Sequence, residues 1–310
     1  MNSKIEQEIL DDRYIIQKEI GFGYSSRVFK VKDVQTGETK VAKIFKDNMS
    51  SKFQKEAKAI NLINAIDAPT NIKCFTMDIG YLIHKGKKEQ KMYEILEYGD
   101  HGTLYDRFES SVNGFSEEVC KYIFSKILHA VGVLHSNGIC HRDIKPENML
   151  FVGDNYDLKL CDFGLSIKFI NKENKKRKLK LQVGTKCYRA PEVEERKDYS
   201  GDKIDIFSIG IILFVLITKI FPFEEDSNIL YRLIKTKQFE KYWEIIEKFV
   251  KEKQLSEQFK NLFVKMVAYN PDERPTIEEI KKDDFMKDIT NLNDKQLDEL
   301  NKKMIDELKS

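Results

Sequence analysis

The 310-residue chain has no Cys-x-x-Cys pair; its five cysteines, Cys74, Cys120, Cys140, Cys161 and Cys187, stand apart. An odd, scattered set excludes a disulfide framework and a zinc site. It points to reduced thiols in a cytoplasmic protein, with the nucleus as the alternative. Long apolar runs are also missing. The longest, residues 209–217, covers nine positions, whereas a membrane-spanning helix needs about 20; a buried core helix is expected, and no membrane span. Charge of one sign is not in surplus, since 53 Lys and Arg stand against 51 Asp and Glu, which argues against a dedicated nucleic-acid binder. The N-terminal residues lack the apolar stretch of a signal peptide, and position 2 is not the glycine that myristoylation requires. No internal repeat, low-complexity linker or Asp-x-Asp-x-Asp-Gly calcium loop occurs.

Two periodicities are present. Strands are expected at 14–20, 28–33 and 40–45, which are rich in β-branched and aromatic residues, with the turn Gln35-Thr36-Gly37-Glu38 between the last two. A helix follows at 50–66, then strands at 75–84 and 91–98 around a Lys/Gly turn at 85–88. From about residue 103 the pattern is helical. Across 117–135, Val119, Ile123, Ile127, Val131 and Leu134 recur at steps of four and three, with Ser116 placed to cap and Gly138 to close. Short strands at 149–152 and 158–160 interrupt, and helices run on with breaks near Pro222 and Pro271. The expected class is α+β, a small β-rich lobe with one helix joined near Gly99 to a larger, mainly helical lobe.

Three segments carry chemistry. Gly21-Phe22-Gly23-Tyr24-Ser25-Ser26-Arg27-Val28 lies between strands, and glycine lets backbone approach a phosphate because no Cβ intervenes. The dinucleotide fold is excluded, because it needs a helix after the glycines. Lys43 falls mid-strand on one face with Val41, and an inward lysine needs an anion. The helix at 50–66 has an apolar stripe of Phe53, Ala57, Ile60 and Ile63, with Glu56 at its edge; together they favour an ion pair. The third segment is His141-Arg142-Asp143-Ile144-Lys145-Pro146-Glu147-Asn148, followed after another short strand by Asp162-Phe163-Gly164. Asp143 can orient a hydroxyl and receive its proton, and Asn148 and Asp162 offer hard oxygens for magnesium.

These motifs, in this order, resemble the eukaryotic protein kinase family over about residues 14–286. The resemblance implies a bilobal kinase fold, with an N-lobe at 14–98 and a C-lobe at 99–286. An extension at 1–13 precedes it and a helical tail at 287–310 follows. It implies transfer of the γ-phosphoryl of ATP, with Mg2+, to protein substrates. On it, Ile20, Gly21, Phe22, Gly23 and Val28 form the phosphate-covering loop and its flanks. Lys43 holds the α/β-phosphates and pairs with Glu56. Val41 and Leu96 line the adenine site, Glu97 and Gly99 supply backbone groups to it, and Thr103 completes the nucleotide set. Asp143 resembles the catalytic base, with Lys145 near the γ-phosphate; Asn148 and Asp162 resemble the magnesium ligands. Gly184-Thr185-Lys186-Cys187-Tyr188-Arg189-Ala190-Pro191-Glu192 resembles the end of an activation segment. Glu192 is expected to pair with Arg274, and Asp205, opening a buried helix, to anchor the catalytic-loop backbone beside Arg142. Lys145 and Thr185 resemble serine/threonine rather than tyrosine kinases, and 231–285 looks most like the calcium/calmodulin-dependent group. The alternative is a catalytically silent scaffold of the same fold, which usually loses Lys43, Asp143, Asn148 or Asp162; all four stand here.

The sequence departs from that pattern in places. Ser26 replaces a glycine, Val41 and Ala42 are exchanged, and Phe207 replaces a tryptophan. Between Ser166 and Thr185 there is no serine, threonine or tyrosine, but Lys168, Lys172, Lys175, Lys176, Arg177, Lys178 and Lys180 against Glu173 alone. Kinase activation loops are commonly ordered by phosphorylation through arginine; here activity is expected not to depend on a phosphate within 167–184. The run Lys175-Lys176-Arg177-Lys178 is expected to be a solvated mobile loop, with a nuclear import signal or docking patch as alternatives. Glu147 resembles a residue that selects basic substrates, although Thr103 replaces its usual acidic helper. Leu297, Leu300, Met304 and Leu308 give the tail a helical stripe, read as a capping helix rather than an autoinhibitory one.

Overall fold

The structure, a computed structural model, describes residues 8–66, 70, 74–84, 86–111, 114–171, 173, 175–223, 229–250 and 254–309, with 74–76 as backbone only. They fall into two compact units, Met1–Asp100 and His101–Ser310.

The first unit is β-rich. Strands β1 (Ile9–Leu10), β2 (Tyr14–Phe22), β3 (Ser26–Asp33), β4 (Thr39–Phe45), β5 (Cys74–His84) and β6 (Lys87–Glu97) close a barrel in the order β1-β2-β3-β4-β6-β5, and helix α1 (Ser50–Asn64) follows β4. Leu10, Tyr14, Phe29, Val31, Ala42, Ile44, Tyr93 and Ile95 fill its core. Because side chains alternate along a strand, Val28, Val41, Lys43, Glu94 and Leu96 lie on the opposite face. The register sets Lys43 between Val28 and Glu94, and Val41 against Leu96. Two features were not expected. Ile9 and Leu10 pair with both β2 and β5, so part of the segment before residue 14 belongs to the barrel; two residues are too few for periodicity to reveal. Strand β6 begins at Lys87 because the turn is tighter, with Gly86 at φ +69°; its first four residues, Lys87, Lys88, Glu89 and Gln90, are all exposed and give no alternation.

The second unit is helical. It comprises α2 (Leu104–Ser110), α3 (Glu117–Ser136), α4 (Pro191–Glu194), α5 (Gly201–Thr218), α6 (Ile229–Lys235), α7 (Phe239–Phe249), α8 (Glu257–Met266), α9 (Ile277–Lys281), α10 (Lys287–Thr290) and α11 (Asp294–Lys309). Two small sheets interrupt them: β7 (Ile139–Cys140) pairs with β10 (Ile167–Lys168), and β8 (Met149–Val152) with β9 (Asp157–Leu160). The stripe of α3 is buried, and the Ser116 hydroxyl accepts from the Val119 N–H. Helix α5 starts at Gly201, four residues before Asp205, and is buried almost throughout. Among the described residues no helix is long and apolar enough to cross a membrane. Leu300, Met304 and Leu308 of α11 are buried, and Glu307 accepts from the Ser116 N–H (2.8 Å) and hydroxyl (2.7 Å). A carboxylate at the start of α3 also suits the positive end of its dipole.

Candidate active site

In the first unit, the outer barrel face carries most of the expected nucleotide residues. Lys43 on β4 forms an ion pair with Glu56 of α1. Glu56 sits within the buried stripe Glu56, Ala59, Ile60 and Ile63 rather than at its edge. Burying an uncompensated charge is costly, so the pair fixes α1 against β4. Gly21 lies opposite Val28, where an added Cβ would meet Val28 Cβ at 3.4 Å. Phe22 is 75% exposed, and Ile20 is exposed too; the Gly23 N–H closes the hairpin on the Ser26 carbonyl at 2.9 Å. Glu94 is a second buried carboxylate opposite Lys43, which sequence reasoning missed. A glutamate one step from Leu96 at period two was the available signal. Glu97 ends β6 opposite Lys40, and Gly99 follows it. Thr103 falls in the second unit, where its hydroxyl accepts from the Asp106 N–H (3.0 Å) in a capping box at α2.

The second unit assembles the catalytic-loop residues. Asp205 accepts from the backbone N–H of His141 (2.8 Å) and Arg142 (2.9 Å), so one carboxylate from α5 holds the loop's start. His135 Nε2 also meets Asp205 at 3.0 Å, a partner no motif signalled. Asp143 Oδ1 accepts from the Thr185 N–H (2.9 Å) and hydroxyl (2.8 Å). Lys145 Nζ donates to Thr185 Oγ1 at 3.0 Å and lies 3.6 Å from Asp143 Oδ2. Asn148 Nδ2 donates to the Asp143 carbonyl at 2.9 Å, which leaves its oxygen on the opposite fork of the amide. Cys161 N donates to the Asn148 carbonyl (3.0 Å), bringing Asp162 in beside Asn148 as the next residue. Asp162 has φ +57°, a backbone state uncommon for a non-glycine residue. Phe163 is buried against His141, ring centroids 5.3 Å apart. Among the described residues no three metal-ligating side chains cluster. Magnesium needs no such cage, because it takes one or two protein oxygens and completes its shell with phosphates and water. The Asn148 and Asp162 oxygens fit that demand.

Thr185 reaches Asp143 because Gly184 lets the chain come close. At φ +89°, a Cβ there would lie 2.6 Å from the Arg142 carbonyl oxygen. Gly184→Ala is therefore expected to push Thr185 off Asp143 and lower phosphoryl transfer at least about tenfold, the scale of one misplaced positioning contact. Steady-state rates checked against an unchanged melting curve measure it.

The segment before Thr185 is held without a phosphate. Arg142 Nε donates to the Leu165 carbonyl (2.7 Å) and Nη1 to the Tyr199 phenol (3.3 Å), which donates to the Leu181 carbonyl (2.8 Å). Leu179 and Tyr199 exchange both backbone hydrogen bonds at 2.8 and 2.9 Å. The basic run is exposed, as expected of a solvated loop, and it also makes defined contacts. Arg177 N donates to the Phe169 carbonyl at 2.8 Å, and Lys176 pairs with Asp202 at 2.5 Å. Burial alone would raise the Asp202 carboxyl, but hydrogen bonds from Lys176 and Ser200 outweigh it and hold it below the usual carboxylate range. Buried Leu179 is the anchor that charge counting overlooked. Beyond the segment, Arg274 Nη1 and Nη2 grip both oxygens of Glu192 at 2.7 and 2.8 Å, fully buried.

The protein kinase domain family model matches residues 14–286. CBL-interacting protein kinase 26 of Oryza sativa subsp. japonica is 29% identical over 289 residues, covering 92% of this chain and 54% of that protein. CBL-interacting serine/threonine-protein kinase 14 of Arabidopsis thaliana is 32% identical over 282 residues, covering 89% and 58%. SNF-related serine/threonine-protein kinase of Homo sapiens is 28% identical over 292 residues, covering 89% and 34%. The chain thus spans about half the length of the plant relatives and a third of the human one. A family match across 14–286, together with a catalytic loop so built, places this chain in the protein kinase family.

Proposed function

We propose that the protein is a serine/threonine protein kinase of two-lobed kinase architecture, transferring the γ-phosphoryl group of Mg-ATP to hydroxyls of protein substrates. The observation that carries it is the Asp143–Thr185–Lys145 arrangement. One Asp143 oxygen is fixed by two donors from Thr185, so the carboxylate is oriented before substrate arrives. Its other oxygen, which takes a long hydrogen bond from Asn148 Nδ2 (3.4 Å), would orient the substrate hydroxyl and take its proton, with Lys145, 3.6 Å from it, close enough to balance charge on the transferred group. Asn148 and Asp162 would hold magnesium, which neutralises phosphate charge when bound. Lys43, fixed by Glu56, would hold the α/β-phosphates, while Val28, Val41 and Leu96, sharing its face, suit adenine. The relatives are named as serine/threonine or CBL-interacting kinases, which supports protein substrates and a regulatory protein partner.

Regulation follows the same contacts. With Arg142 satisfied by Leu165 and Tyr199, no phosphate within 167–184 is required. Incubation with Mg-ATP and casein or myelin basic protein is expected to give phosphate incorporation that chelation of magnesium abolishes and prior phosphatase treatment leaves within about twofold, roughly 0.4 kcal/mol in the barrier. Loss of activity after phosphatase would overturn the regulatory reading; absence of incorporation before it, with nucleotide bound, would overturn the catalytic one.

A further inference from the structure

Lys43 stands beside two carboxylates. Within the barrel its ladder neighbours are Val28 on β3 and Glu94 on β6, and Glu56 of α1 forms its ion pair from outside the ladder. Residues directly opposite on antiparallel strands hold their Cβ atoms about 4.5–5.5 Å apart. The Glu94 and Lys43 side chains therefore leave the sheet side by side, on the face assigned to the nucleotide. Glu56 and Glu94 are each 1% exposed.

The sheet around Glu94 is otherwise apolar. Met77 faces it from β5, and Met92 and Leu96 flank it along β6 at period two. A carboxylate buried among such side chains is costly to keep ionised without a cation, and the cation the ladder sets beside it is Lys43. An ammonium carries three donors. One for each carboxylate leaves a third for a phosphate oxygen.

The two carboxylates are carried differently. Glu56 rides on α1, whose N-cap residue Met49 makes no side-chain hydrogen bond and whose first turn holds no acid and last turn no base. Both ends of that helix thus lack the usual fixings. Glu94 sits within β6, paired to β4 on one side and β5 on the other, where a strand cannot shift without slipping its register.

We propose that Glu94 is a second positioning residue for Lys43. With Glu56 it forms a two-carboxylate cradle that holds the ammonium toward the α/β-phosphates of ATP even when α1 moves. This deepens the kinase reading above and rests on it: nucleotide binding by Lys43 then does not depend on the α1 contact alone.

The test is calorimetric binding of Mg-ATP and of adenosine to the full chain. Glu94→Met is expected to weaken ATP about tenfold, the order of one hydrogen bond to a charged group, and to leave adenosine, which has no phosphate, within about twofold. Lys43 keeps Glu56, so no buried charge is stranded and the melting curve should not move. A merely structural glutamate would shift adenosine binding or melting instead. Glu94→Gln, closer in shape, carries the test if the methionine variant melts early, and should weaken ATP roughly threefold. Glu56→Gln/Glu94→Met should weaken ATP by more than the product of the two single effects, because each carboxylate holds Lys43 when the other is lost. ATP binding that Glu94→Met leaves unchanged or tightens, an equal loss for adenosine, or single effects that simply multiply would overturn the proposal and leave the kinase reading intact. Failure of the unaltered protein to bind Mg-ATP would sink the kinase reading, and the proposal with it.

Discussion

Asp143→Asn is expected to lower phosphoryl transfer about 10²–10⁴-fold, the contribution of a positioned general base, while the protein stays folded and binds nucleotide. Asparagine matches aspartate in shape, so Oδ1 can still accept from the Thr185 N–H and hydroxyl. What is lost is the second carboxylate oxygen. An amide nitrogen in its place cannot accept a proton, and it sets a donor 3.6 Å from the Lys145 ammonium, where a negative charge now balances it. The loss should fall on kcat rather than on KM for ATP, because the interaction is made with the reacting hydroxyl. Steady-state kinetics on a generic protein substrate separate the two, and a change within twofold would remove Asp143 from the base's role.

The largest stability effect is expected at Arg274. Its guanidinium is fully buried, grips both oxygens of Glu192, and donates to the carbonyls of Ala268 (2.9 Å) and Lys203 (2.9 Å). Arg274→Met leaves the Glu192 carboxylate buried without its partner. Breaking one side of such a pair costs about 3–5 kcal/mol, a large share of the 5–15 kcal/mol typical of a domain. Denaturant unfolding should show the midpoint fall by a corresponding amount. Glu192→Gln/Arg274→Met should recover part of it, because the stranded charge is then gone. A double variant as unstable as the sum of its parts would mean that packing around Phe207, whose ring lies under the guanidinium at 5.1 Å, matters more than charge.

Much of this was readable from residue order. Period two placed Lys43 with Val41, period 3.6 placed the α3 stripe, and both appear as expected because each side chain meets the core through its own element's geometry. Glu56 was legible only in part: the stripe pointed to its edge, but which turn of α1 faces β4 is set by packing of Ala59 and by Phe45 meeting Phe53 edge-on at 5.1 Å. What could not be read was long-range. The barrel closure by Ile9 and Leu10 needs strands some seventy residues apart. The grip of Tyr199 on Arg142 spans 57 positions. The close approach of Gly184 to the Arg142 carbonyl depends on a backbone torsion that composition does not encode. In the basic run, residues 175–178, charge foretold the exposure, but not the burial of neighbouring Leu179 or the ion pair of Lys176 to Asp202, which are long-range.

The most direct test of the central claim is phosphoamino-acid analysis of a generic protein substrate after incubation with the purified protein and γ-labelled Mg-ATP. The account predicts label in phosphoserine and phosphothreonine. Label in phosphotyrosine alone, or none at all with nucleotide binding intact, would contradict it.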